Sequence, residues 1–294
     1  MGGQEVDISI VTGKHRERLE ACLSSLKQAI TNTSFRVFVV DNCAEFDVVS
    51  SVKKYYPTAV ILKNDTPMGF AANHNQVLSS CNGDYVLVLN DDVELGEKCA
   101  DIMCDFIKSN SDAGLVGPAL YERKWNSIPK ACGGDINSLF PPPIKICLAY
   151  LLNECGLSKI TGKWIGRMGQ ENNGNTKAVE LSFVSGACCL IRKKMLNDTG
   201  LFDEGFFMYL EDMDLGVRAR KHGWRCYQAP GAKVLHYSAS SFTHQTWLWI
   251  YASLKRYAYK YHSLPVRIVT FLLITQLRLI IWIKDRMRSI YGTQ

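Results

Sequence analysis

The chain has 294 residues, 47% of them hydrophobic and 21% charged, which is enough apolar material for one large domain or a domain with an appendage and excludes a disordered chain. Its eleven cysteines are odd in number and irregularly spaced. They include the adjacent pair Cys188–Cys189 but no CxxC, which argues against a zinc ribbon or a dithiol redox motif and for reduced thiols in a cytosolic protein. The net charge of +6 is unevenly placed: eight Lys/Arg against the single acid Asp285 lie between Lys255 and Arg288, so the rest of the chain is close to neutral and an anionic partner is expected at the C-terminal end.

Met1 to Asp7 is short, polar and acidic, without the apolar core of a secretory signal. Ile8–Val11 is a short apolar run followed by the polar turn ThrGlyLysHis. Leu19, Cys22, Leu23 and Leu26 then recur at helical spacing. Phe35–Val40 reads as a second strand ending on Asp41-Asn42. A helix over Val48–Tyr55, a strand over Ala59–Leu62, a helix over Phe70–Leu78 and a strand over Tyr85–Leu89 follow. This alternation predicts an α/β fold with a mainly parallel sheet flanked by helices, its strands apolar throughout because both faces are covered. A helix is expected near Leu95, which Asp92 could cap. Residues 121–180 hold Gly-Gly, Pro-Pro-Pro and only a short apolar stretch, Ile144–Leu152; they read as an irregular insert forming an acceptor-side wall or lid. Strand character returns over Glu180–Ile191. A loop then leads to a helix starting near Glu211, on which Asp214 and Arg218 are spaced for a surface pair. Lys233–Tyr237 is a short strand containing His236.

The run VLVLNDDVEL ends a buried strand on two carboxylates, an arrangement that costs several kcal/mol unless the charges are used. Ligands collect at the carboxyl ends of parallel strands, and polar groups stand at each such end: Thr12, Asp41, Asn64-Asp65 and Asn90-Asp91-Asp92. No GxGxxG follows a strand and no GxxxxGK[ST] occurs, so neither a dinucleotide fold nor a P-loop is supported, and a carboxylate-held metal is the obvious device for handling phosphate. Taken singly, these residues have plainer explanations. Glu211 and Asp212 suit a first helical turn, His236 a core histidine and Asp41 a turn, while Phe206, Phe207 and Tyr209 suit packing.

Taken in order, ISIVT, VFVVDN, NDTPMGFAANHN, LNDDVEL, VSGACCLIRKKML and YLEDMDL closely resemble the inverting glycosyltransferases of family 2, which have the GT-A fold, and the rhamnosyltransferase-like members most. The resemblance spans about residues 7 to 240. It implies that Asp41 contacts the nucleobase and that Asp92, the last acid of a DxD-type motif, ligates a divalent metal, Mg²⁺ or Mn²⁺, with His236 as a second ligand. Asn90 replaces the motif's first Asp and would contact ribose or metal-bound water. Thr12, Asn64, Gly69, Phe70, Asn75, Asp91 and Gly186 would line the nucleotide-sugar pocket. Asp212 would be the general base, and Glu211 would orient the base or the acceptor. The first loop departs from the family, with Gly13-Lys14-His15 where an aromatic and Asn-Arg are usual.

The chemistry asks for the same division. A diphosphate leaving group is stabilised by a cation, and an inverting transfer needs a separate, metal-free base on the opposite face. At a helix start the dipole would keep Asp212 ionised, by about 0.3–1 kcal/mol. The implied reaction moves a sugar, rhamnose among the candidates, from a dTDP- or UDP-linked donor to a glycan or polyprenyl-linked acceptor in surface polysaccharide synthesis, with no nucleic-acid partner. The rivals are a sugar nucleotidyltransferase and a non-catalytic membrane-bound scaffold with a transferase fold.

The expected organisation is a GT-A domain over 1–240 and basic amphipathic helices over 241–294. Val266–Ile283 is very apolar, but Arg267 and Arg278 interrupt it, and its uncharged stretch Ile268–Leu277 has ten residues against the roughly 20 of a spanning helix. Arg267, Arg278 and Asp285 share one stripe at helical spacing. Trp247, Trp249 and Trp282 suit a headgroup interface. Peripheral attachment to the anionic inner face of the cell membrane is expected. The alternative is a helical hairpin packed on the body or on a second subunit, which would make a homodimer.

Overall fold

A computed structural model of the chain describes residues 5–122, 124–125, 127, 132–134, 142–157, 177–237 and 243–291. The elements in chain order are β1 (Val6–Thr12), α1 (Arg16–Ala29), β2 (Phe35–Asp41), α2 (Val48–Lys53), β3 (Val60–Lys63), α3 (Phe70–Leu78), β4 (Tyr85–Asn90), β5 (Val93–Leu95), α4 (Cys99–Ser109) and β6 (Ala113–Glu122). There follow α5 (Pro142–Glu154), β7 (Val179–Leu181), β8 (Cys188–Arg192), α6 (Lys193–Thr199), α7 (Glu211–Lys221), β9 (Arg225–His236), α8 (His244–Tyr261) and α9 (Leu264–Tyr291). Two compact units form, one from residues 1–136 and 168–241, the other from 137–167 and 242–294.

The first unit is built on a nine-stranded sheet of order β3-β2-β1-β4-β8-β6-β9-β5, with β7 added beside β9. The half from β3 to β4 is parallel, as the strand–helix alternation predicts. Beyond β4 the sheet is mixed: β8 runs antiparallel to both β4 and β6, while β6 and β9 are parallel. Ile8, Ile10, Leu87 and Leu89 are completely buried, consistent with strands covered on both faces. α1 turns Leu19, Cys22, Leu23 and Leu26 into this core. Asp47 caps α2, accepting from the Ser50 backbone N–H at 3.0 Å.

Several expectations need correction. Asp92 is followed by strand β5, and the next helix starts only at Cys99, so Asp92 caps nothing. Glu180–Ile191 is two strands, β7 and β8, and the strand carrying His236 is 12 residues long. Within the stretch read as irregular, Pro142–Glu154 is helical and belongs to the second unit; residues 158–176 of that stretch lie outside the described residues. Asp214 and Arg218 do pair, at 2.8 Å, but Asp214 is completely buried, so the pair is internal.

In the second unit, Lys284 Nζ joins α9 to α5 by donating to Glu154 Oε2 at 2.8 Å. α9 buries Thr270, Ile274 and Leu277 on one side. Leu264, Ile268, Phe271, Leu272, Leu279 and Trp282 are exposed, at i, i+4, i+7, i+8, i+15 and i+18. That spacing is a single helical stripe. Against the expectation that Arg267 and Arg278 leave too short an apolar run, the helical stretch Leu264–Lys284 is long and apolar enough to cross a membrane by length and composition alone. The Asp285 side chain of the expected charged stripe lies outside the described residues.

Candidate active site

The strand register brings the polar ends together. Thr12 stands opposite Asp41 and Val11 opposite Asn90, so β1, β2 and β4 terminate at one edge. Backbone bonds stitch that edge: Asn42 N–H donates to Thr12 O and Asn64 N–H to Asp41 O, both at 2.9 Å. Asp41 accepts from the Ala44 N–H at 2.8 Å, so it closes a turn while standing at the edge. Thr12 Oγ1 donates to Asp91 Oδ2 at 2.8 Å. Burial nevertheless pushes Asp91 up to about 6, because the Thr12 hydrogen bond only partly offsets the lost hydration.

Asp92 has a different environment. β5 pairs antiparallel with β9, placing Val93 opposite His236, and Tyr237 N–H donates to Asp92 O at 2.9 Å. This pairing carries His236 to its position, with Nε2 3.3 Å from Asp92 Oδ1. Arg18 Nη1 stands 3.8 Å from Asp92 Oδ2. Burial pushes the Asp92 carboxyl upward, but the adjacent His236 and Arg18 outweigh it and leave Asp92 below the ordinary carboxylate value. Asp91 and Asp92 are thus separated in acidity by their surroundings. Asp92 Oδ1 is buried and accepts no hydrogen bond of normal geometry. An ionised carboxylate whose buried oxygen has only the His236 imidazole beside it is a donor set that would suit a divalent cation, which would supply positive charge for a diphosphate. Among the described residues no group of three or more His, Cys, Asp or Glu could hold a metal alone.

The second pair of acids reaches the same edge through β8. Leu89 stands opposite Cys188 and Asn90 N–H donates to Ala187 O at 3.0 Å, so β8 begins where β4 ends. Gly186, just before β8, donates its N–H to Asp212 Oδ2 at 3.3 Å, and Met213 N–H donates to Oδ1 at 2.7 Å. Glu211 and Asp212 open α7 immediately after Tyr209 and Leu210, which have φ of 71° and 68°. Two successive side-chain-bearing residues in the left-handed region are strained, and such strain persists only where surrounding contacts impose it.

Burial, then the neighbouring Asp212 charge, holds the Glu211 carboxyl well above its usual range. Burial also raises Asp212, opposed by donation from the Met213 and Gly186 N–H groups. A dipole contribution of about 0.3–1 kcal/mol is small beside the cost of burying a carboxylate, so Asp212 lies above the ordinary carboxylate value, at about 6, and is still ionised at neutral pH. Glu211 Oε2 is buried without a hydrogen bond. A carboxyl raised in the folded state costs stability as pH climbs from its unfolded value through its folded one, and costs nothing below both. Glu211→Gln should therefore raise Tm at pH 8, by the equivalent of about 1–3 kcal/mol. The gain should vanish near pH 4, close to the unfolded value of about 4.3. Thermal melts at the two pH values check this, and an equal gain at both would mean that Glu211 is not ionised at a cost in the native protein.

The segment before α7 is held by close backbone contacts and buried polar groups. Phe70 N–H donates to Phe207 O at 2.9 Å. A Cβ on Gly69 would lie 2.3 Å from that same oxygen, so only glycine allows the approach. Gly186 has a similar constraint, since its Cβ would meet Phe70 Cζ at 2.5 Å. Phe70 itself packs on His74 and Phe202, with ring centroids 4.4 and 5.6 Å away. Asn75 Nδ2 donates to Phe202 O and Glu204 Oε1, both at 2.9 Å, and its Oδ1 accepts from Phe202 N–H at 3.1 Å. Arg218 donates to Thr199 O, Gly200 O and Leu201 O as well as to Asp214. Asn64 Nδ2 donates to Asn42 Oδ1 and Asn73 Oδ1, and its Oδ1 accepts from Gln76.

The side-chain amides of Asn64 and Asn75 thus bond to protein groups on neighbouring loops. Gly69→Ala should push the Phe207 backbone away, costing about 1–3 kcal/mol of stability and displacing the segment that leads into Glu211 and Asp212. A thermal melt together with transfer kinetics checks both effects; an unchanged melt and turnover would show that the approach is not needed. Phe206 is completely buried, as packing predicts, but Phe207 and Tyr209 are 41% and 37% exposed. Arg18, Asn42, Arg218 and Tyr237 were not picked out as site-forming residues. Arg18 lies on the polar face of an ordinary amphipathic helix, and nothing local marks it.

A profile of the family described as "Glycosyltransferase like family 2" matches residues 5–256. The chain belongs to glycosyltransferase family 2. It is 27% identical over 247 residues to the N-acetylglucosaminyl-diphospho-decaprenol L-rhamnosyltransferase of Mycobacterium tuberculosis H37Rv, covering 80% of this chain and 76% of that one. It is also 33% identical over 112 residues to an uncharacterized glycosyltransferase of Haemophilus influenzae, covering 37% of each. Among solved structures, GalNAc-T7 with UDP, GalNAc and Mn²⁺ is similar in fold, with a TM-score of 0.60 at 12% identity. S. aureus TarS 1–349 in complex with UDP gives a TM-score of 0.54 at 16% identity. The chain spans 47% of the former's length and 65% of the latter's. The fold is GT-A, and the protein is a glycosyltransferase that is similar to the mycobacterial rhamnosyltransferase.

Proposed function

We propose that the protein is a metal-dependent, inverting glycosyltransferase that moves a deoxyhexose, rhamnose first among the candidates, from a dTDP- or UDP-linked donor to a polyprenyl-linked glycan acceptor. The observation that carries this reading is the separation of two acid pairs at one sheet edge. Asp91 and Asp92 follow β4, with Asp92 beside His236, while Glu211 and Asp212 open α7 and Asp212 accepts from the Gly186 N–H at that edge. The acceptor class is taken from the mycobacterial relative, whose name states a diphospho-decaprenol substrate.

In this reading Asp41 and Thr12 face the nucleoside at the ends of β2 and β1, and Asn90 contacts the ribose. Asp92 and His236 hold the divalent cation, Mg²⁺ or Mn²⁺, and when bound it offsets diphosphate charge and stabilises the leaving group. Asp212 takes the proton of the attacking acceptor hydroxyl on the face opposite the leaving group. Burial places its acidity nearer to neutral than an exposed carboxylate, which favours proton transfer at physiological pH. Glu211, raised further, stays protonated longer and limits negative charge beside the base. Gly69 and Asn75 hold the segment before the base against α3, and Arg218 ties α7 to the carbonyls of Thr199, Gly200 and Leu201.

Residues 1–240 would be the transferase domain and 241–294 a membrane-associating appendage on the cytoplasmic leaflet, where a polyprenyl-linked acceptor is presented. The exposed apolar stripe of α9 and the basic tract support this. The test is transfer from a panel of nucleotide sugars to a polyprenyl-diphosphate glycan, with the new bond's anomeric configuration read by NMR. An inverted glycoside formed only with metal present is expected. A product that keeps the nucleoside monophosphate would make the protein a nucleotidyltransferase, and no turnover with any donor would favour a scaffold.

A further inference from the structure

Within the second unit, α8 and α9 enclose a notch of about 400 Å³ whose lining includes Lys255, Tyr259, Leu264, Arg267, Ile268 and Phe271. Its two charged lining residues are both cations. Arg267 is held in place: Nε donates to His262 O at 2.7 Å and Nη2 to Tyr259 O at 3.0 Å, the carbonyls that close the end of α8. Its guanidinium lies 5.1 Å from the Tyr259 ring centroid, and Lys255 Nζ lies 5.4 Å from that of Phe271. A guanidinium fixed by two carbonyls loses little entropy on gaining an anion.

We infer that this notch binds the phosphate headgroup of an anionic phospholipid. The inference rests on the membrane reading given above and narrows it from a charged surface to one built site. Leu264, Ile268, Phe271 and Leu272 both line the notch and belong to the exposed apolar stripe of α9. Cations at the level of the headgroups beside an apolar stripe that enters the acyl region are what an interfacial helix presents. A soluble phosphate would satisfy the cations and leave the stripe in water, so the occupant carries an apolar tail. A second copy of the chain is disfavoured, because two tracts each carrying eight Lys/Arg and one acid would face each other. The phospholipid answers both the charge and the apolar surface.

The experiment is vesicle co-sedimentation of the full chain, with folding followed by circular dichroism and self-association by sedimentation equilibrium. The vesicles are phosphatidylcholine alone, phosphatidylcholine with about one-third phosphatidylglycerol, and phosphatidylcholine with a small fraction of polyprenyl phosphate. The notch variant is Lys255→Gln/Arg267→Gln. The control, Arg256→Gln/Lys260→Gln, removes the same charge from the same tract outside the notch lining. Lys255→Gln alone leaves the Arg267 hydrogen bonds intact should the double variant unfold. Wild type should bind the phosphatidylglycerol vesicles only, the notch variant at least about tenfold more weakly than the control, and Lys255→Gln about fivefold more weakly than wild type.

Equal losses in notch and control variants would overturn the notch and leave a diffuse electrostatic attachment standing. Wild type that binds no vesicle would overturn the membrane reading itself. Full binding restored by polyprenyl phosphate at a fraction where phosphatidylglycerol has no effect would reassign the site to the acceptor's phosphate. Stable dimers that fail to bind vesicles would give the stripe to a second copy.

Discussion

Asp212→Asn is expected to lower turnover by about 10²–10⁴-fold, roughly 3–5 kcal/mol of transition-state stabilisation, while donor affinity stays within a few-fold of wild type. The change is nearly isosteric and keeps a polar group at the start of α7. It removes the lone pair that takes the proton. Asp212 now accepts from both Met213 N–H and Gly186 N–H. An amide has one oxygen for these two donors, and the shorter Met213 bond should keep it, so some local adjustment near Gly186 accompanies the loss of the base. Calorimetry of donor binding separates that adjustment from chemistry. The pH profile gives a second, independent readout. Burial raises Asp212, so the acid limb of the wild-type kcat profile should lie above the ordinary carboxylate range, and that limb should be absent from the Asn variant. Equal losses of donor affinity and turnover would end the assignment of Asp212 as base, as would a product with the donor's own anomeric configuration.

Asp92→Ala should act at the other end of the reaction. It removes the carboxylate beside His236, and metal-dependent donor binding should be lost together with transfer, by about 10³-fold or more. The motive is the buried Asp92 Oδ1 facing His236 Nε2 at 3.3 Å, together with the absence of a P-loop motif in the sequence to hold the diphosphate. His236→Ala should be milder and partly rescued by excess metal, because a carboxylate and the diphosphate still supply oxygens. The pair of variants is read by donor titration with and without Mn²⁺. Full wild-type activity in EDTA would remove the cation from the mechanism, and unchanged metal dependence in His236→Ala would return that residue to the core.

The parts of this molecule fixed by near neighbours in sequence could be read directly. The helix Phe70–Leu78 and the start of α7 at Glu211 fall where periodicity and composition put them. So do the parallel strands whose ends carry Thr12, Asp41 and Asn90. What escaped depends on distant pairing. Nothing around Cys188 says that its strand runs antiparallel against β4, yet that register brings Gly186 and Asp212 to the edge that carries Thr12, Asp41 and Asn90. The strand β5 was mistaken for a helix start because three residues are too few to show a period, although its pairing with β9 is what seats His236 beside Asp92. Asn64 and Asn75 show a different limit: the sequence does not say that their amides bond across to Asn73 and Phe202.

The position of β8 also sets the order in which the chain can fold as it is made. Strands β1 to β4 are complete once Asn90 has left the ribosome, but the outer side of β4 pairs only with β8, and β8 begins at Cys188. At 5–20 residues per second the ribosome needs roughly 5–20 s to make the intervening stretch of about a hundred residues. During that interval the most apolar strand of the parallel half presents an unpaired edge, which is a template for joining another chain. A nascent or truncated chain ending before Arg192 would therefore be prone to aggregate. Fragments for expression should be cut after β9, where the sheet has both of its halves.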